Sequence, residues 1–391
     1  MGKDSKGDEE VKDKFKQIIK VMIGLLPVTN KIIFESSPDF ADNTRAVFEY
    51  MVVNKLNDKY KMIWLVNKPN DFKHVDVANT IFCPMYPKNI VEQIQRVWHI
   101  ATAKYIIVCN RGIAKYNNKT KSINLWHGSG LKACKELKLV LDCCDDVLTS
   151  SEFYKPIFAK ELQVEYKKLR CLGYPRNDWM FVESDDLERL NIALKDEKVI
   201  MWMPTFRQHK NGKRFDVTVE SALGLPIIED ESMLEELNRQ LEVYKLRLII
   251  KIHPAQDLSF IKVENLSHIC LLTNQDIEEK GVNLYKIVGR CDALITDYSS
   301  IYVDYMMLDR PMAFTLDDLE DYRANKGFVF ENPLSYMPGN HLYTFEDMKC
   351  FIEELAKGQD RWQEERRSTN NLFNQYHDGQ SCKRFCEYFG F

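Results

Sequence analysis

Apolar, β-rich runs recur along the chain, and each gives way to a stretch with helical spacing. In the first half the runs are KIIFES from Lys31, YKMIWLVN from Tyr60, TIFCPMYP from Thr80, YIIVCN from Tyr105, INLWHG from Ile123 and DVLTSS from Asp146. Between them, NTRAVFEYMVVNKL from Asn43 and NIVEQIQRVWHIATA from Asn89 are amphipathic at the helical period. Alternation of this kind predicts parallel strands joined by crossover helices. The strands are continuous apolar runs, which predicts sheets covered on both faces.

The series pauses after GYPRND (173–178) at a polar segment containing ESDD from Glu183. It restarts with VIMWMPTF from Val199, LRLIIKIHP from Leu246, HICLLTN from His268, DALITDYSS from Asp292 and PMAFTL from Pro311. The restart sets a domain boundary near 180–197, and 391 residues exceed what one ordinary core absorbs. The expected class is α/β, with two Rossmann-like doubly wound lobes and a ligand cleft between them. The expected domains are 30–190 and 191–360, with an amphipathic helix within 1–29 and a C-terminal helix within 361–391. The stretch from Thr344 onward reads as two helices.

Composition narrows the function. A net charge of -4 argues against a general nucleic-acid surface and leaves any anion site to local chemistry. The 11 cysteines, with Cys143 and Cys144 adjacent, nowhere form C-x-x-C, which predicts reduced thiols in a cytosolic protein. The charged N-terminus lacks a signal-peptide cleavage pattern. Residues 11–26 gather Val11, Phe15, Ile18, Ile19, Met22 and Leu26 on one helical face, too short a run to span a bilayer. That helix either lies on an anionic membrane surface or packs on the protein's own core.

Ligands of doubly wound sheets gather beyond the carboxyl ends of the strands, and the chemistry-bearing residues sit there. INLWHGSG brings His127 to a strand end ahead of Gly128, where a glycine turn lets backbone N–H groups approach an anion beside a proton-exchanging imidazole. LIIKIHP brings His253 to an equivalent end, before Pro254. On opposite lobes the two histidines can converge on a pyrophosphate; equally, each can be a satisfied structural imidazole. ALITDYSS sets Asp297, Ser299 and Ser300 where strand turns into helix, either an anion-binding helix start or a simple N-cap. MWMPTFR carries Thr205 and Arg207 past a strand end, and a guanidinium there suits bidentate phosphate contact or an exposed surface position. No Walker loop, G-x-G-x-x-G, G-x-S-x-G or H-E-x-x-H occurs, so ATPase, dehydrogenase, serine hydrolase and zincin readings have no motif. Asp317 and Asp318 do not make a ligand set, and neither a metal nor a cofactor is expected.

Taken together and in order, WHG-x-x-x-K (126–132), GYPRND (173–178), PTFR (204–207), HP (253–254) and TDYSS (296–300) resemble the CDP-glycerol glycerophosphotransferase family, the teichoic acid primases and polymerases. FESSPDFADNTRAVFEYM from Phe34 and DYMMLDRPMAFTLDDLEDY from Asp304 extend the resemblance over about residues 30–330. It implies a GT-B architecture and a peripheral enzyme on the cytoplasmic face of the cell membrane. It also implies a CDP-polyol donor, a lipid-linked or polymeric glycan acceptor of teichoic-acid or capsular type, and release of CMP. It carries the pyrophosphate-flanking roles to His127 and His253; a neutral imidazole near its reference pKa makes His127 the expected base, with the division of labour between the two histidines left open. The expected donor-binding set is Arg207, Thr205, Ser299, Ser300, Asp297 and Gly128. Two departures, Ser129–Gly130 where the family often has Thr-Pro and Ser37–Pro38 where it usually has Gly, are expected on the acceptor side. The rival functions are a nucleotide-sugar glycosyltransferase of the same fold and a non-catalytic polymer-binding protein. Glycerol against ribitol, and the oligomeric state, stay open.

Overall fold

The computed structural model describes residues 21–110, 112–133, 143–192, 196–205, 224–251 and 266–391. Within them the strands form two wholly parallel sheets. The first comprises β1 (Thr29–Glu35), β2 (Lys61–Val66), β3 (Thr80–Pro84), β4 (Ala103–Val108), β5 (Lys121–Asn124), β6 (Asp146–Thr149) and β7 (Leu169–Cys171), in the order β3-β2-β1-β4-β5-β6-β7. The second comprises β8 (Lys198–Met203), β9 (Leu246–Lys251), β10 (Ile269–Leu272), β11 (Ala293–Thr296), β12 (Met312–Thr315) and β13 (Asn340–Leu342), in the order β10-β9-β8-β11-β12-β13. Strand order reverses between β1 and β4 and again between β8 and β11. These are the switch points at which doubly wound sheets open a crevice.

The apolar runs are strands because both of their faces are covered. Ile32, Ile33 and Phe34 of β1, Ile63 and Trp64 of β2, and Ile106 and Ile107 of β4 are all fully buried. Phe34 is in register with Trp64 and stacks on it at 5.1 Å. The two helices expected between early strands form as Asp42–Val53 and Ile90–Ala101, the second capped by Asn89, whose side chain accepts from Glu92 N. One buried apolar cluster runs from the first sheet across to Val282, Tyr298 and Tyr302 of the second lobe, so the lobes share a core. A smaller cluster lies around Ile200, Trp202, Leu237 and Phe351.

Among the described residues several contacts bind the lobes, and some of them run through the backbone. The helix Leu284–Arg290 packs on the turn Pro175–Phe181, and Gly289 is what permits it: a Cβ there would stand 2.3 Å from Met180 O and 2.7 Å from Met180 Cα. Leu131 to Ala133 pair antiparallel with residues 327–329, Val329 N donating to Leu131 O at 2.8 Å and Ala133 N to Gly327 O at 3.2 Å. The tail forms three helices where two were expected, Phe345–Ala356, Gln363–Phe373 and Ser381–Phe389. Gly379, with φ +63°, turns the chain ahead of the last of them. That helix returns to the first lobe, where the Asp178 carboxylate accepts from Ser381 N and Cys382 N, both at 2.8 Å.

Gly289→Ala is expected to lower unfolding free energy by ~1–3 kcal/mol, because the backbone it meets cannot rotate away. Chemical denaturation measures this, and an unchanged midpoint would show that the contact yields.

Candidate active site

Asn124 closes β5, and its Oδ1 accepts from Trp126 N at 2.8 Å, bending the chain out of the sheet. Trp126 then takes φ 55° and Gly128 φ 126°. Glycine is required at 128 for space as well: a Cβ would lie 3.0 Å from both Arg176 Nη2 and Ser300 Oγ. At Gly130 it would lie 3.2 Å from Ser300 Cβ. The first-lobe turn therefore rests directly on the start of the second-lobe helix Ile301–Tyr305.

The His127 ring lies 4.3 Å from the Trp126 indole and is inclined to it at 32°. It stays accessible from the cleft. Burial by the surrounding walls and the Arg176 cation push its pKa down to about 4, against a weaker upward pull from Asp42. The imidazole is consequently neutral across the neutral pH range and able to accept a proton.

Beneath it lies Arg176, from GYPRND. Nη1 donates to Asp42 Oδ1 at 2.8 Å, and Nη2 donates to His127 O at 2.8 Å and to Asp304 Oδ2 at 3.0 Å. Its backbone N donates to Asn43 Oδ1 at 2.9 Å, while Asn43 Nδ2 donates to Trp126 O at 2.8 Å. The guanidinium also lies over the Tyr285 ring, 4.8 Å from its centroid, and Tyr285 Oη donates to Asp304 Oδ2 at 2.8 Å. Asn177 Nδ2 donates to the other Asp304 oxygen at 2.9 Å. Asp304 is fully buried, so Arg176 and its neighbours supply the donors that make a charge tolerable there.

Asp42, His127, Arg176, Tyr285, Ser299 and Ser300 line a 430 Å³ pocket between the lobes. It continues past Arg176 and Tyr285 into an 840 Å³ cleft reaching Pro38, Lys68 and Trp179. Ser300 precedes the helix without capping it through its side chain. At the second switch point Asp297 is fully buried, and its carboxylate accepts from Thr205 N (2.6 Å), Thr205 Oγ1 (2.7 Å) and Ser299 N (3.1 Å). Lys132, the lysine of WHG-x-x-x-K, crosses from the first lobe to donate to Thr205 Oγ1 at 3.2 Å.

Of the residues expected from sequence, His127, Gly128, Ser299 and Ser300 meet in one place. Thr205 and Asp297 are bonded to each other and shape the turn behind it. Arg207 and His253 lie outside the described residues, as do residues 11–20 of the N-terminal segment. Ser129, expected on the acceptor side, is fully buried instead: its Oγ lies 2.8 Å from Tyr174 Oη and accepts from Ser150 Oγ at 2.8 Å. Sequence reasoning gave no role to Arg176, Asp42, Asp304 or Tyr285. The motif GYPRND was the available signal for the first of these.

Arg176→Met is expected to cost ~3–5 kcal/mol of stability by leaving the Asp304 carboxylate buried and unpaired. Adding Asp304→Asn should return part of that loss. Equal stability of the single and double variants in denaturant titrations would contradict the pairing.

The chain matches the family described as CDP-Glycerol:Poly(glycerophosphate) glycerophosphotransferase over residues 19–389. It is 31% identical to the teichoic acid poly(glycerol phosphate) polymerase of Bacillus spizizenii, over 95% of this chain and 94% of that protein. It is 25% identical to the teichoic acid glycerol-phosphate primase of Bacillus subtilis, over 77% of each. A solved structure of the wall teichoic acid polymerase TagF matches with a TM-score of 0.73 at 20% identity, covering 98% of this chain and 96% of that one, and bears out the GT-B fold. A UDP-GlcNAc 2-epimerase from Methanocaldococcus jannaschii matches with a TM-score of 0.52 at 12% identity, so the two-lobed frame alone does not fix the chemistry. What fixes the kinship is the match along the sequence from residue 19 to residue 389, and by it the chain belongs to the CDP-glycerol:poly(glycerophosphate) glycerophosphotransferase family.

Proposed function

We propose that the protein transfers glycerol phosphate from CDP-glycerol to a terminal hydroxyl of a teichoic-acid-like polymer, releasing CMP. The observation that carries the reading is the meeting of His127 with Ser299 and Ser300 in one interlobe pocket, in a chain whose relatives are named as teichoic acid polymerases and primases. The acceptor hydroxyl attacks the phosphorus that bears the glycerol. A new P–O bond forms, the bond to CMP breaks, and the hydroxyl proton passes to the His127 imidazole. A ring with pKa about 4 is free of its proton before substrate arrives. The negative pyrophosphate then draws that pKa upward and makes the ring a stronger base within the complex. Ser299 and Ser300 supply hydroxyl donors to the phosphates. His253 and Arg207, assigned from their motifs, would share the developing charge. Thr205 and Asp297 hold the turn that presents the serines, and Gly128 lets Ser300 and Arg176 close on the turn that carries His127.

The reading includes a lipid-linked acceptor and work at the cytoplasmic face of the membrane. Among the described residues no helix is long and apolar enough to cross a bilayer.

Incubation with CDP-glycerol and a poly(glycerol phosphate) oligomer is expected to release CMP and lengthen the oligomer by glycerol phosphate units, seen by mass spectrometry. Turnover of a UDP-sugar in place of CDP-glycerol would favour the glycosyltransferase rival. His127→Ala should lower kcat by ~10²–10⁴-fold with donor affinity changed much less; unchanged kcat at saturating donor would remove His127 from the chemistry. For the free enzyme, kcat/KM should stay level as pH falls through 6.5 and decline only towards about 4. A limb at 6.5 would mean that the ring is not held in its neutral form.

A further inference from the structure

The 840 Å³ cleft beyond Arg176 has no part in the chemistry described so far. It opens from the reactive pocket through Asp42, Arg176, Leu284 and Tyr285, which line both spaces. Trp179 also lines it, from the same tight turn as Arg176 and three residues further on, so the two side chains stand on one side of that turn. The indole is held in place. Its Nε1 donates to Glu49 Oε2 at 3.2 Å, while Glu49 Oε1 accepts from Arg45 Nε at 2.7 Å. Among the described residues no other ring and no cation stacks on that indole.

The walls of the cleft carry no excess of positive charge. Arg176 is committed to Asp42 and Asp304, and Arg45 to Glu49. What remains in the lining is Lys68 and His74 against Asp39, Asp71 and Glu278. Even with His74 counted as a cation, the carboxylates outnumber the cations. Asp39 is fixed between two loops, its Oδ2 accepting from Asn67 N at 2.6 Å and its Oδ1 from Asn67 Nδ2 at 2.9 Å. A string of phosphodiesters would bring one negative charge per unit past these carboxylates, and like charges repel more strongly where water is displaced. The relatives named as poly(glycerol phosphate) polymerases make, by name, such a polyanion. This cleft is poorly suited to one. A neutral sugar is received differently: one face of a pyranose is a row of C–H groups that stacks on an indole, and its hydroxyls donate to carboxylates and accept from ammonium and amide groups. The volume of 840 Å³ also falls among sites for small organic ligands, about 300–1,000 Å³.

We propose that the cleft binds a neutral pyranose at the receiving end of the acceptor, with Trp179 as its stacking face and Asp39, Asp71 and Glu278 as partners of its hydroxyls. The inference rests on the transferase reading given above and names the acceptor for it. The sugar hydroxyl that reaches His127 is the one that attacks: its oxygen bonds to the glycerol-bearing phosphorus, the bond to CMP breaks, and its proton passes to the imidazole. The product then ends in glycerol instead of sugar. A glycosyl transfer onto that glycerol must restore a sugar end before the protein meets its preferred acceptor again, so sugar and glycerol phosphate alternate in the finished chain. A poly(glycerol phosphate) oligomer is still accepted through its terminal hydroxyl, at lower kcat/KM.

The test supplies the full chain with CDP-glycerol and, in parallel, with octyl glycosides of neutral hexoses and N-acetylhexosamines and with a poly(glycerol phosphate) oligomer, following CMP release and product mass. The best glycoside is expected to exceed the oligomer in kcat/KM by about tenfold or more. Trp179→Ala should raise KM for that glycoside by about tenfold while kcat/KM with the oligomer changes by less than about twofold, which also shows that the variant folds. Asp71→Lys with Glu278→Lys should act in the opposite sense, improving use of the oligomer several-fold in a manner that fades as salt rises. Equal or better use of the oligomer by the unaltered protein would overturn the proposal. So would a Trp179→Ala variant that slows both acceptors alike, or lysine substitutions that leave the oligomer's kcat/KM unchanged. Absence of CMP release from the unaltered protein with every acceptor would instead count against the transferase reading.

Discussion

The guanidinium of Arg176 stands where the two lobes meet, and most of the site's geometry depends on what it holds. It reaches Asp42 of the first lobe and Asp304 of the second, together with the carbonyl of His127. One planar cation with several fixed donors can satisfy three acceptors at once, which an ammonium on a flexible stem would do less well. Breaking such an arrangement leaves a buried charge without a partner, so the lobes are held at one spacing. The shared apolar core and the close approach at Gly289 restrain the same spacing from other directions.

That spacing gives the pocket its chemistry. The carbonyl bonded to Arg176 belongs to the histidine whose ring faces the cleft, so the cation both fixes the turn and discourages protonation of the imidazole. Ser300 is kept against Gly128 because neither glycine of WHGSG has a side chain to push it away. The Arg176 guanidinium with its two paired carboxylates, a neutral imidazole and a pair of hydroxyls then surround the interlobe space.

The repeating apolar runs made both sheets legible in the sequence, since strands buried on two faces leave unbroken stretches such as YIIVCN and LRLIIK. β7 and β13 were not legible. Each is three residues long, too short for any period to show, and each is added at the end of a sheet already formed. His127, Gly128, Ser299 and Ser300 were nominated by strand-end position and residue type together with the resemblance to the family, and the fold brings them together. Arg176 could not be given a role, because its partners Asp42 and Asp304 lie 134 and 128 residues away and nothing local marks them as neighbours. Ser129 misled for the related reason that a substitution beside a site can face away from it, here towards Tyr174 and Ser150.

The central claim is that the pyrophosphate of the donor lies in the interlobe pocket above Arg176. A crystal structure of the His127→Ala variant with CDP-glycerol tests it most directly. The account predicts phosphate oxygens within hydrogen-bond reach of Ser299 or Ser300, with the glycerol-bearing phosphorus next to position 127. A nucleotide seated wholly in the neighbouring cleft by Lys68 and Trp179, with both serines untouched, would contradict it.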